Sequence, residues 1–570
     1  SPYMPAGTDF FGAVLQEAHS RKIRVVGRFD LSKTQKAVYD AHPEWFFRRA
    51  NGQPVVYNGL YSTCINGGYY RGAALAILTE ALERYPVDAL FFNMFGNPAA
   101  DYSGNPLGLC HCDACSTRFR ARYNRPLPET PDADYREFLE TAKMDVAREI
   151  ANLIHVKRPA AGLFTYIQEE TDAITSESNT AVDRPLPLWP YSASDNVNRA
   201  RNSQPDKMAF NLCIGFVDIP YRFATVPQPE IRGRLYQNMA NGAGPAFVAL
   251  GTLDQEDRSG IQAAREVFTF HARHEDLYVG QQSAARVLLV GGRGNGYRGF
   301  FRLLTEQHIP FAVLDNSSWI PDGAKRFDLV IAPEGTAKGI ERYVQAGGRL
   351  LVAGTRPPPM FEGKSVHLWT DTRSSYLRVR DHALFPSLKN TDVLFLDGGF
   401  LEFPPESKPL LTLIPPAMFG PPEKVGLDRK LTDKPGVLLR DNVAYLPWDL
   451  GSLYYRHGSD AHAGLAADLI DHFLPQGRQL RTNAHPLVEI TLMRQPAKHR
   501  TMVHLVNLSG HSQTSYFRPI EMRDINIDLA GTFTKARSVT LERELPITKL
   551  AGRTKITLPT LNEYDVVVLE

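Results

Sequence analysis

The first half of the chain alternates short apolar runs with longer segments of helical spacing. The apolar runs lie at 23–30, 87–92, 161–167, 173–178, 208–218 and 244–252. Segments with apolar residues at helical spacing lie at 10–21, 72–85 and 135–157. Strands that alternate with helices predict βαβ units and a parallel sheet, so this region belongs to the α/β class.

The six predicted strands are two fewer than a closed (β/α)8 barrel requires. The first of them directly follows a helix, as if the chain began partway through a repeating pattern. We therefore interpret residues 1–283 as a TIM barrel whose two N-terminal strands are missing from this chain. An open six-stranded sheet is the alternative.

The α/β pattern restarts near residue 284. Residues 285–315 predict a strand, a glycine-rich turn, a helix and a second strand, and 327–333 and 347–354 add two more strands. This is typical of a doubly wound, flavodoxin-like domain, which we place at 284–483. The turn GGRGNG matches the dinucleotide fingerprint poorly, so we expect no organic cofactor.

From residue 484 to 570 apolar and polar residues alternate between turn signals. This alternation predicts a small antiparallel β-sandwich. The segment holds no cluster of catalytic residue types. We expect a structural or ancillary domain.

Composition narrows the class of protein without naming a function. With 570 residues, 43% hydrophobic and 22% charged, the chain is typical of a soluble protein of two or three domains. A net charge of +2 gives no reason to expect nucleic acid or an anionic membrane as a partner. No apolar run approaches the roughly 18 residues of a membrane span, and Ser1–Asp9 does not resemble a signal peptide. These features leave the location open, with the cytoplasm as the first choice.

Four cysteines supply the sharpest chemical pattern. Cys110, Cys112 and Cys115 form C-x-C-x-x-C after a Gly/Asn/Pro-rich loop, and Cys64 lies upstream. Four thiolates close a tetrahedral zinc site that leaves no open position, so such a metal is structural. Buried free thiols are the first alternative and disulfides the second, because Cys110 and Cys112 are too close in sequence to pair easily. In a parallel barrel a loop anchored in this way would form a firm wall of a substrate pocket.

These motifs carry a family resemblance. CINGGYYR, then a strand and a loop, then CHCDAC and FRARY resembles the cysteine framework of β-galactosidases of glycoside hydrolase family forty-two. HPEWFFRRANGQPV and the cysteine loop resemble still more closely a group of hypothetical glycosyl hydrolases that includes α-L-fucosidases of family one hundred and fifty-one. The resemblance covers nearly the whole chain, including the order of its domains.

The resemblance implies a function, a metal and an assembly. It implies an exo-acting hydrolase of a terminal sugar in an oligosaccharide or glycoside, α-L-fucosidase-like first and β-galactosidase-like second. It supports Cys64, Cys110, Cys112 and Cys115 as zinc ligands. It also implies that the second domain is amidotransferase-like and serves trimerisation, since no nucleophilic cysteine follows Cys213 in the sequence. We therefore expect a homotrimer.

Glycoside hydrolysis normally needs two carboxyl groups, one on each side of the scissile bond. Among carboxylates at predicted strand ends, we assign the catalytic roles to Glu177 and Asp218. A structural cap or ion pair is the alternative for Glu177, and an N-cap or turn for Asp218. The residues expected to bind substrate are Asp30, Asn93, Tyr166, Trp189 and Tyr191, with the last two as a stacking platform for a sugar.

The sequence departs from the family pattern at one position. Asn93 and Met94 stand where the galactosidases have Asn-Glu, with the glutamate as acid/base, and where the fucosidase-like enzymes have an aspartate nucleophile. An amide cannot serve as an oxyanion nucleophile, although it can bind a hydroxyl group or a water. Two alternatives stay open: a carbohydrate-binding or scaffold barrel without activity, and an enzyme that uses the substrate's own acetamido group.

Overall fold

The structure is a computed structural model that describes residues 5–570, except for residues 102, 168, 179–188, 316–322, 334, 336–338, 418–419, 425 and 427–431. Its internal contacts divide the chain into two compact units, Ser1–Ser176 and Glu177–Glu570. The predicted domain boundaries at 283/284 and 483/484 stay predictions. Within the described part of the chain, no helix has both the length and the apolar character that a membrane crossing needs.

The first unit combines a parallel sheet with surrounding helices. Its helices are α1 (Phe10–Ser20), α2 (Lys36–Ala41), α3 (Ala74–Arg84), α4 (Asp113–Tyr123) and α5 (Ala133–Lys157). Its strands are β1 (Val26–Phe29), β2 (Lys33–Gln35), β3 (Val56–Tyr57), β4 (Leu60–Ser62), β5 (Ala89–Phe92), β6 (Gly162–Thr165) and β7 (Ala173–Ser178), the last of which ends in the second unit.

Strands β1, β5 and β6 form the parallel sheet, in that order. Leu90, Phe92 and Leu163 are buried in one apolar cluster with residues of the helices, whereas Val26 of the edge strand β1 is 40% exposed. Helix α3 turns Ala74, Leu78 and Leu82 inward at a spacing of four, and all three are buried. The α/β pattern predicted for this region is therefore confirmed for the strands and helices of the first unit.

A small antiparallel sheet, ordered β2-β4-β3, was not predicted. Its strands contain only two or three residues, which is too short for a period of two to be recognised in a sequence. It lies between β1 and α3 in the chain and contributes one wall of the cavity described below.

The second unit contains the rest of the elements. Its helices are α6 (Ser192–Ser203), α7 (Gln228–Ala240), α8 (Ser259–Arg273), α9 (Glu275–Tyr278), α10 (Asn295–Glu306), α11 (Ile340–Gln345), α12 (Leu450–His457) and α13 (Asp460–Phe473). Its strands as far as residue 446 are β8 (Met208–Ile214), β9 (Phe247–Val248), β10 (Gln282–Ser283), β11 (Val287–Val290), β12 (Phe311–Leu314), β13 (Leu329–Ala332), β14 (Leu350–Ala353), β15 (His367–Trp369), β16 (Ser375–Val379), β17 (Val393–Leu396), β18 (Phe400–Glu402), β19 (Leu411–Ile414), β20 (Leu438–Arg440) and β21 (Val443–Leu446).

Its remaining strands are β22 (Leu480–Thr482), β23 (Val488–Gln495), β24 (Arg500–Asn507), β25 (His511–Ser512), β26 (Ser515–Tyr516), β27 (Met522–Ala530), β28 (Ala536–Ser538), β29 (Arg543–Glu544), β30 (Thr548–Leu550), β31 (Arg553–Leu561) and β32 (Tyr564–Leu569). Strand β8 pairs in parallel with β9. Together with β1, β5, β6 and β7, these two strands account for all six apolar runs of the first half of the chain.

The doubly wound sheet has the order β12-β11-β13-β14-β21-β20. It is parallel except for β20, which pairs antiparallel with β21 at one edge. Two small antiparallel sheets, β17-β16-β19 and β15-β18, interrupt the α/β pattern and were not predicted.

The C-terminal region consists of two antiparallel sheets. Their orders are β10-β23-β24-β32-β28-β29 and β22-β27-β31-β30. Residues of both sheets, including Ile490, Leu505 and Ile527, share one buried apolar cluster. The predicted β-sandwich is confirmed in this sense, and its strands alternate buried and exposed positions most clearly in β31.

Candidate functional site

The four cysteines of the predicted metal site lie together in the first unit. Cys64 follows β4, Cys110 and Cys112 end the long loop after β5, and Cys115 lies in the first turn of α4. All four are buried, and their sulfur atoms lie within 4.8 Å of one another. The Sγ atom of Cys64 lies 3.3 Å from that of Cys115 and 3.5 Å from that of Cys112.

This arrangement fits a tetrahedral metal better than it fits disulfides. Four sulfur ligands at about 2.3 Å from one Zn²⁺ ion lie about 3.8 Å from each other, and Cys110 Sγ lies 3.7 Å from Cys64 Sγ. A disulfide needs sulfurs about 2.05 Å apart, and all these cysteines are free thiols. A buried set of sulfur ligands alone suits Zn²⁺ and leaves no position for a substrate.

Hydrogen bonding among the thiols shifts their pKa values in opposite directions. With Cys110 as the first cause, it holds the pKa of Cys112 far below its usual range and raises the pKa of Cys64 and Cys115 well above theirs. Asn66 donates to Cys115 Sγ at 3.4 Å, and Asn97 donates to Cys64 Sγ at 3.8 Å. Such outer hydrogen bonds are common around metal-bound thiolates.

The loop from Asn93 to Cys112 forms one wall of a cavity of about 110 Å³. From this loop the cavity is lined by Met94, Pro98, Ala100, Asp101 and Leu107; from the preceding segments by Ser32, Lys33, Val55, Tyr57, Leu60 and Ser62. The loop is internally braced, since Asp101 Oδ1 accepts hydrogen bonds from the backbone of Ser103 and Asn105. The loop therefore lines a cavity, and its role as the wall of a substrate pocket stays a prediction.

Three of the predicted substrate-binding residues lie in one row. Phe29, Phe92 and Thr165 are aligned across the parallel strands β1, β5 and β6. Asp30, Asn93 and Tyr166 are the residues that follow this row, at the carboxyl edge of the sheet. Polar groups at this edge are the usual location of a binding site in a parallel α/β fold.

Each member of the row has a defined environment. Asp30 accepts hydrogen bonds from the backbone and hydroxyl of Ser32, at 3.0 and 2.6 Å, and its other oxygen lies 3.2 Å from Lys33 Nζ. Asn93 is half-buried and precedes Met94, a cavity residue. Tyr166 is 39% exposed, and its ring contacts Phe91.

The first predicted catalytic residue, Glu177, lies in β7 and is half-buried. Its backbone oxygen accepts a hydrogen bond from Asn196 Nδ2 at 2.9 Å, and the same amide group donates to Asn211 Oδ1. Asn211 in turn donates to Ser178 Oγ at 3.3 Å and to Asn238 Oδ1 at 2.7 Å. This chain of amides fixes the end of β7, and sequence reasoning did not identify it, because its members are far apart along the chain.

The second predicted catalytic residue, Asp218, follows β8 and is half-buried. It N-caps a short 3₁₀ turn, Ile219–Tyr221, and its Oδ1 atom accepts a hydrogen bond from the Ile219 backbone at 2.6 Å. The structural alternative considered for Asp218 is therefore present. The cap orients the carboxylate, and that role is compatible with chemistry at the other oxygen.

The expected sugar platform is not an open surface. Tyr191 is only 3% exposed, and Trp189 is partly buried against the same apolar core. Their rings pack with Phe301 of α10, at centroid distances of 5.7 and 5.6 Å. We correct the expectation for Tyr191, since a ring buried in this way has no face free to stack on a sugar.

The glycine-rich turn after β11 is filled by protein. The guanidinium of Arg199 donates to the backbone oxygen of Gly292 at 3.0 Å and pairs with Asp315 at 2.6 Å. The expectation of no organic cofactor stays a prediction.

A family model described as hypothetical glycosyl hydrolase 6 matches residues 2–94. Among curated protein sequences, none matches this chain.

Solved structures match over nearly the full length. The α-L-fucosidase isoenzyme 2 of Paenibacillus thiaminolyticus has a TM-score of 0.81 at 17% identity, covering 99% of this chain and 90% of that chain. The β-galactosidase of Bacillus circulans sp. alkalophilus has a TM-score of 0.70 at 13% identity, covering 100% and 92%. A catalytic mutant of a GH42 β-galactosidase from G. stearothermophilus has a TM-score of 0.68 at 12% identity, covering 98% and 90%.

The resemblance derived from the cysteine framework and the domain order is confirmed by these matches. The chain has the α/β fold of these glycosidases, with a β-rich C-terminal region. At such identities the structural likeness establishes the fold, and the activity is argued separately below.

Proposed function

We propose that this protein is an exo-acting glycoside hydrolase that releases a terminal sugar, with α-L-fucosidase-like activity as the first choice. The observation that carries the proposal is the placement of polar and acidic side chains at strand ends. Asp30, Asn93 and Tyr166 follow three aligned parallel strands, and Asp218 follows β8. The family model and the fold of the fucosidase favour the same class of reaction.

A (β/α)8 barrel over residues 1–283 is part of the proposal. Its support lies in strand direction within each unit: β1, β5 and β6 are mutually parallel, and β8 is parallel to β9. In such a barrel the chemistry takes place at the carboxyl ends of the strands, where the predicted site residues lie.

The proposed mechanism uses Glu177 and Asp218 as the two carboxyl groups. One protonates the oxygen of the leaving group, and the other attacks the sugar or activates a water molecule. We assign the proton to Glu177 and the second role to Asp218, whose carboxylate is oriented by the Ile219 amide. Asn93 cannot replace either of them, and we assign it to a hydroxyl group of the sugar.

The remaining parts of the proposal concern the metal and the assembly. Cys64, Cys110, Cys112 and Cys115 would hold a structural Zn²⁺, which supplies rigidity to the loop and takes no part in hydrolysis. Residues 284–483 would mediate a homotrimer. We also propose a cytoplasmic location and no nucleic-acid or membrane partner.

One observation favours a second candidate, a carbohydrate-binding protein without activity. Asn93 and Met94 stand where the families that this chain resembles have an acidic residue after this strand, and Met94 presents an apolar side chain to the cavity. β-Galactosidase-like hydrolysis is the alternative within the enzyme class. A hydrolase that uses the acetamido group of its substrate would need a single strong acid.

A panel of nitrophenyl glycosides separates these candidates. We expect turnover of the α-L-fucoside, and Glu177→Gln and Asp218→Asn should each reduce kcat by about 100-fold or more. Glu129→Gln, an exposed glutamate replaced in the same way, is the control and should keep full activity.

The outcomes assign the function directly. Turnover of the β-galactoside alone moves the activity to the second choice. Activity that survives both substitutions places the catalytic groups elsewhere. Binding of sugars with no turnover of any glycoside supports the carbohydrate-binding candidate.

A further inference from the structure

Two loops of the second unit expose large apolar side chains beside Asp218. The loop after β8 exposes Tyr221 by 66% and Phe223 by 60%, and the loop after β9 exposes Leu253 by 75%. Single exposed apolar residues are ordinary, but a group of them around a carboxylate at strand ends marks a binding surface. None of these residues belongs to the site assigned above.

The loop that carries the two aromatic rings is well ordered by its hydrogen bonds. Phe216 and Thr225 form an antiparallel bridge, and the backbone N–H of Val217 donates to Ala224 at 2.9 Å. Asp257 then fastens its base, since one oxygen accepts from the backbone and the hydroxyl of Thr225, both at 2.8 Å. The rings are therefore presented by a fixed turn.

The loops after β8 and β9 meet through a glycine. Gly251 has a φ of +109°, and a Cβ atom there would lie 3.1 Å from the ring of Phe223. The absence of a side chain lets the ring approach the second loop, two residues before Leu253. The Phe223 ring therefore packs against the second loop at Gly251, where the positive φ and the nearby ring both favour glycine.

Asp218 connects this surface to the proposed chemistry. Its backbone oxygen accepts a hydrogen bond from the N–H of Tyr221 at 2.9 Å, so that the turn capped by Asp218 also carries Tyr221. Asp254, next to Leu253, adds an exposed carboxylate whose pKa is lowered by hydrogen bonds, first from Thr252. Apolar faces flanked by acceptors complement a sugar ring, which has C–H faces and a rim of hydroxyl groups.

From this geometry we propose that Tyr221 and Phe223 bind the leaving-group sugar, the part of the substrate that an exo-acting enzyme leaves outside its closed pocket. The proposal rests on the proposed function. Its specific basis is exposure: a terminal sugar is enclosed, whereas the remainder of the oligosaccharide extends towards solvent. Two aromatic rings that are more than half exposed suit that second position.

The test compares two substrates with the same terminal sugar. One is the glycosyl fluoride, whose leaving group is a single fluoride ion too small to contact the rings, and the other is fucosyllactose, or lactose if the galactoside is the substrate. The combined substitution Tyr221→Ala and Phe223→Ala should reduce kcat/KM on the oligosaccharide by about tenfold, mainly through KM. It should change turnover of the fluoride by less than about twofold.

Phe517→Ala is the matched control, since Phe517 is exposed to a similar extent, 63%, in the C-terminal region. It should alter neither substrate. Equal losses on both substrates, or no loss on either, would overturn the assignment. A change of oligomeric state in the double variant without the kinetic difference would show that a second copy of the chain covers this surface, and would overturn it as well.

The experiment also separates this proposal from the proposed function. If the wild-type protein cleaves no glycoside, binding of fucosyllactose and lactose is measured by ligand-observed NMR. Binding that the double variant loses and Phe517→Ala keeps would support the surface in a protein without activity. Absent or unchanged binding would overturn it.

Discussion

Removing the proposed zinc should unfold the first unit before the second. The perturbation is either a strong chelator or the substitution Cys115→Ala, which removes a buried sulfur 3.3 Å from Cys64. Two segments far apart in the chain meet at the cluster, one at Cys64 and one at 110–115. Without the metal they would be joined by thiol contacts, by the surrounding apolar residues and by hydrogen bonds such as that from Asn66 to Cys115.

The size of the effect follows from metal linkage. Structural zinc sites bind with about 10–16 kcal/mol, and a mid-range value of about 12 kcal/mol corresponds to a Kd of about 1 nM. At about 1 μM free Zn²⁺ the ion is in roughly thousandfold excess over Kd and adds about 4 kcal/mol to the free energy of unfolding. For a unit the size of Ser1–Ser176, each kcal/mol shifts Tm by about 2–4 °C, so removal should lower Tm by about 8–16 °C.

The assay combines metal analysis with differential scanning calorimetry. We expect about one zinc per chain in protein that has never met a chelator, and a low-temperature transition that chelation or Cys115→Ala moves downwards. Cys213→Ala is the control, because Cys213 is equally buried but lies outside the cluster. It should retain the metal and the low-temperature transition.

Two results would refute this reasoning. A metal content well below one per chain would leave the cluster as buried free thiols. A full complement of zinc whose removal leaves Tm and the hydrogen exchange of the 93–112 loop unchanged would show that the metal does not hold the loop.

The remaining predictions concern single side chains. Burial raises the pKa of Glu489 in the folded protein. The free energy of unfolding of the wild type should therefore fall as the pH rises from about 4.3 through the folded pKa. In calorimetry at several pH values, Glu489→Gln should flatten that slope. Hydrogen bonds from Ser259 and Thr225 lower the pKa of Asp257. The contribution of Asp257 to the free energy of unfolding is therefore present above about pH 3.9 and is lost as the pH falls. At neutral pH, Asp257→Asn should speed hydrogen exchange in 216–225. Asn93→Asp loses an amide donor and should raise KM by about tenfold in steady-state kinetics, whereas a gain in kcat would identify the position as a lost nucleophile.

The elements that follow from the sequence are those governed by local periodicity. All six apolar runs of the first half correspond to strands, and the polar residue that ends three of them falls in a single row, Asp30, Asn93 and Tyr166. The carboxyl ends of parallel strands lie side by side at one edge of the sheet. A strand end that is predicted from the sequence therefore also predicts where its residue lies in the fold. The cysteine cluster was predictable for a different reason. Four cysteines, three of them closely spaced in the sequence, are typical of a metal site and of few other structures.

What could not be predicted depends on partners far away in the chain. Trp189 and Tyr191 are residue types that often stack on sugars. In the structure their rings pack against Phe301, more than a hundred residues later in the chain. Tyr221 and Phe223 are aromatic residues of the kind that packs in protein cores, yet both are exposed. Burial is a property of the tertiary neighbours of a ring, and one sequence contains no direct signal for it.

The row at the edge of the first sheet is better suited to binding than to acid chemistry. Asp30 is its only acid, and that carboxylate already accepts two hydrogen bonds from Ser32 and pairs with Lys33. The side chain of Asn93 is an amide and has no carboxyl group. The row is therefore suited to binding hydroxyl groups and poorly suited to transferring protons. Within the second unit, the end of β7 and the loop after β8 carry the two proposed carboxyl groups, and Glu177→Gln and Asp218→Asn should each reduce kcat by about 100-fold or more while leaving the Kd for a sugar unchanged.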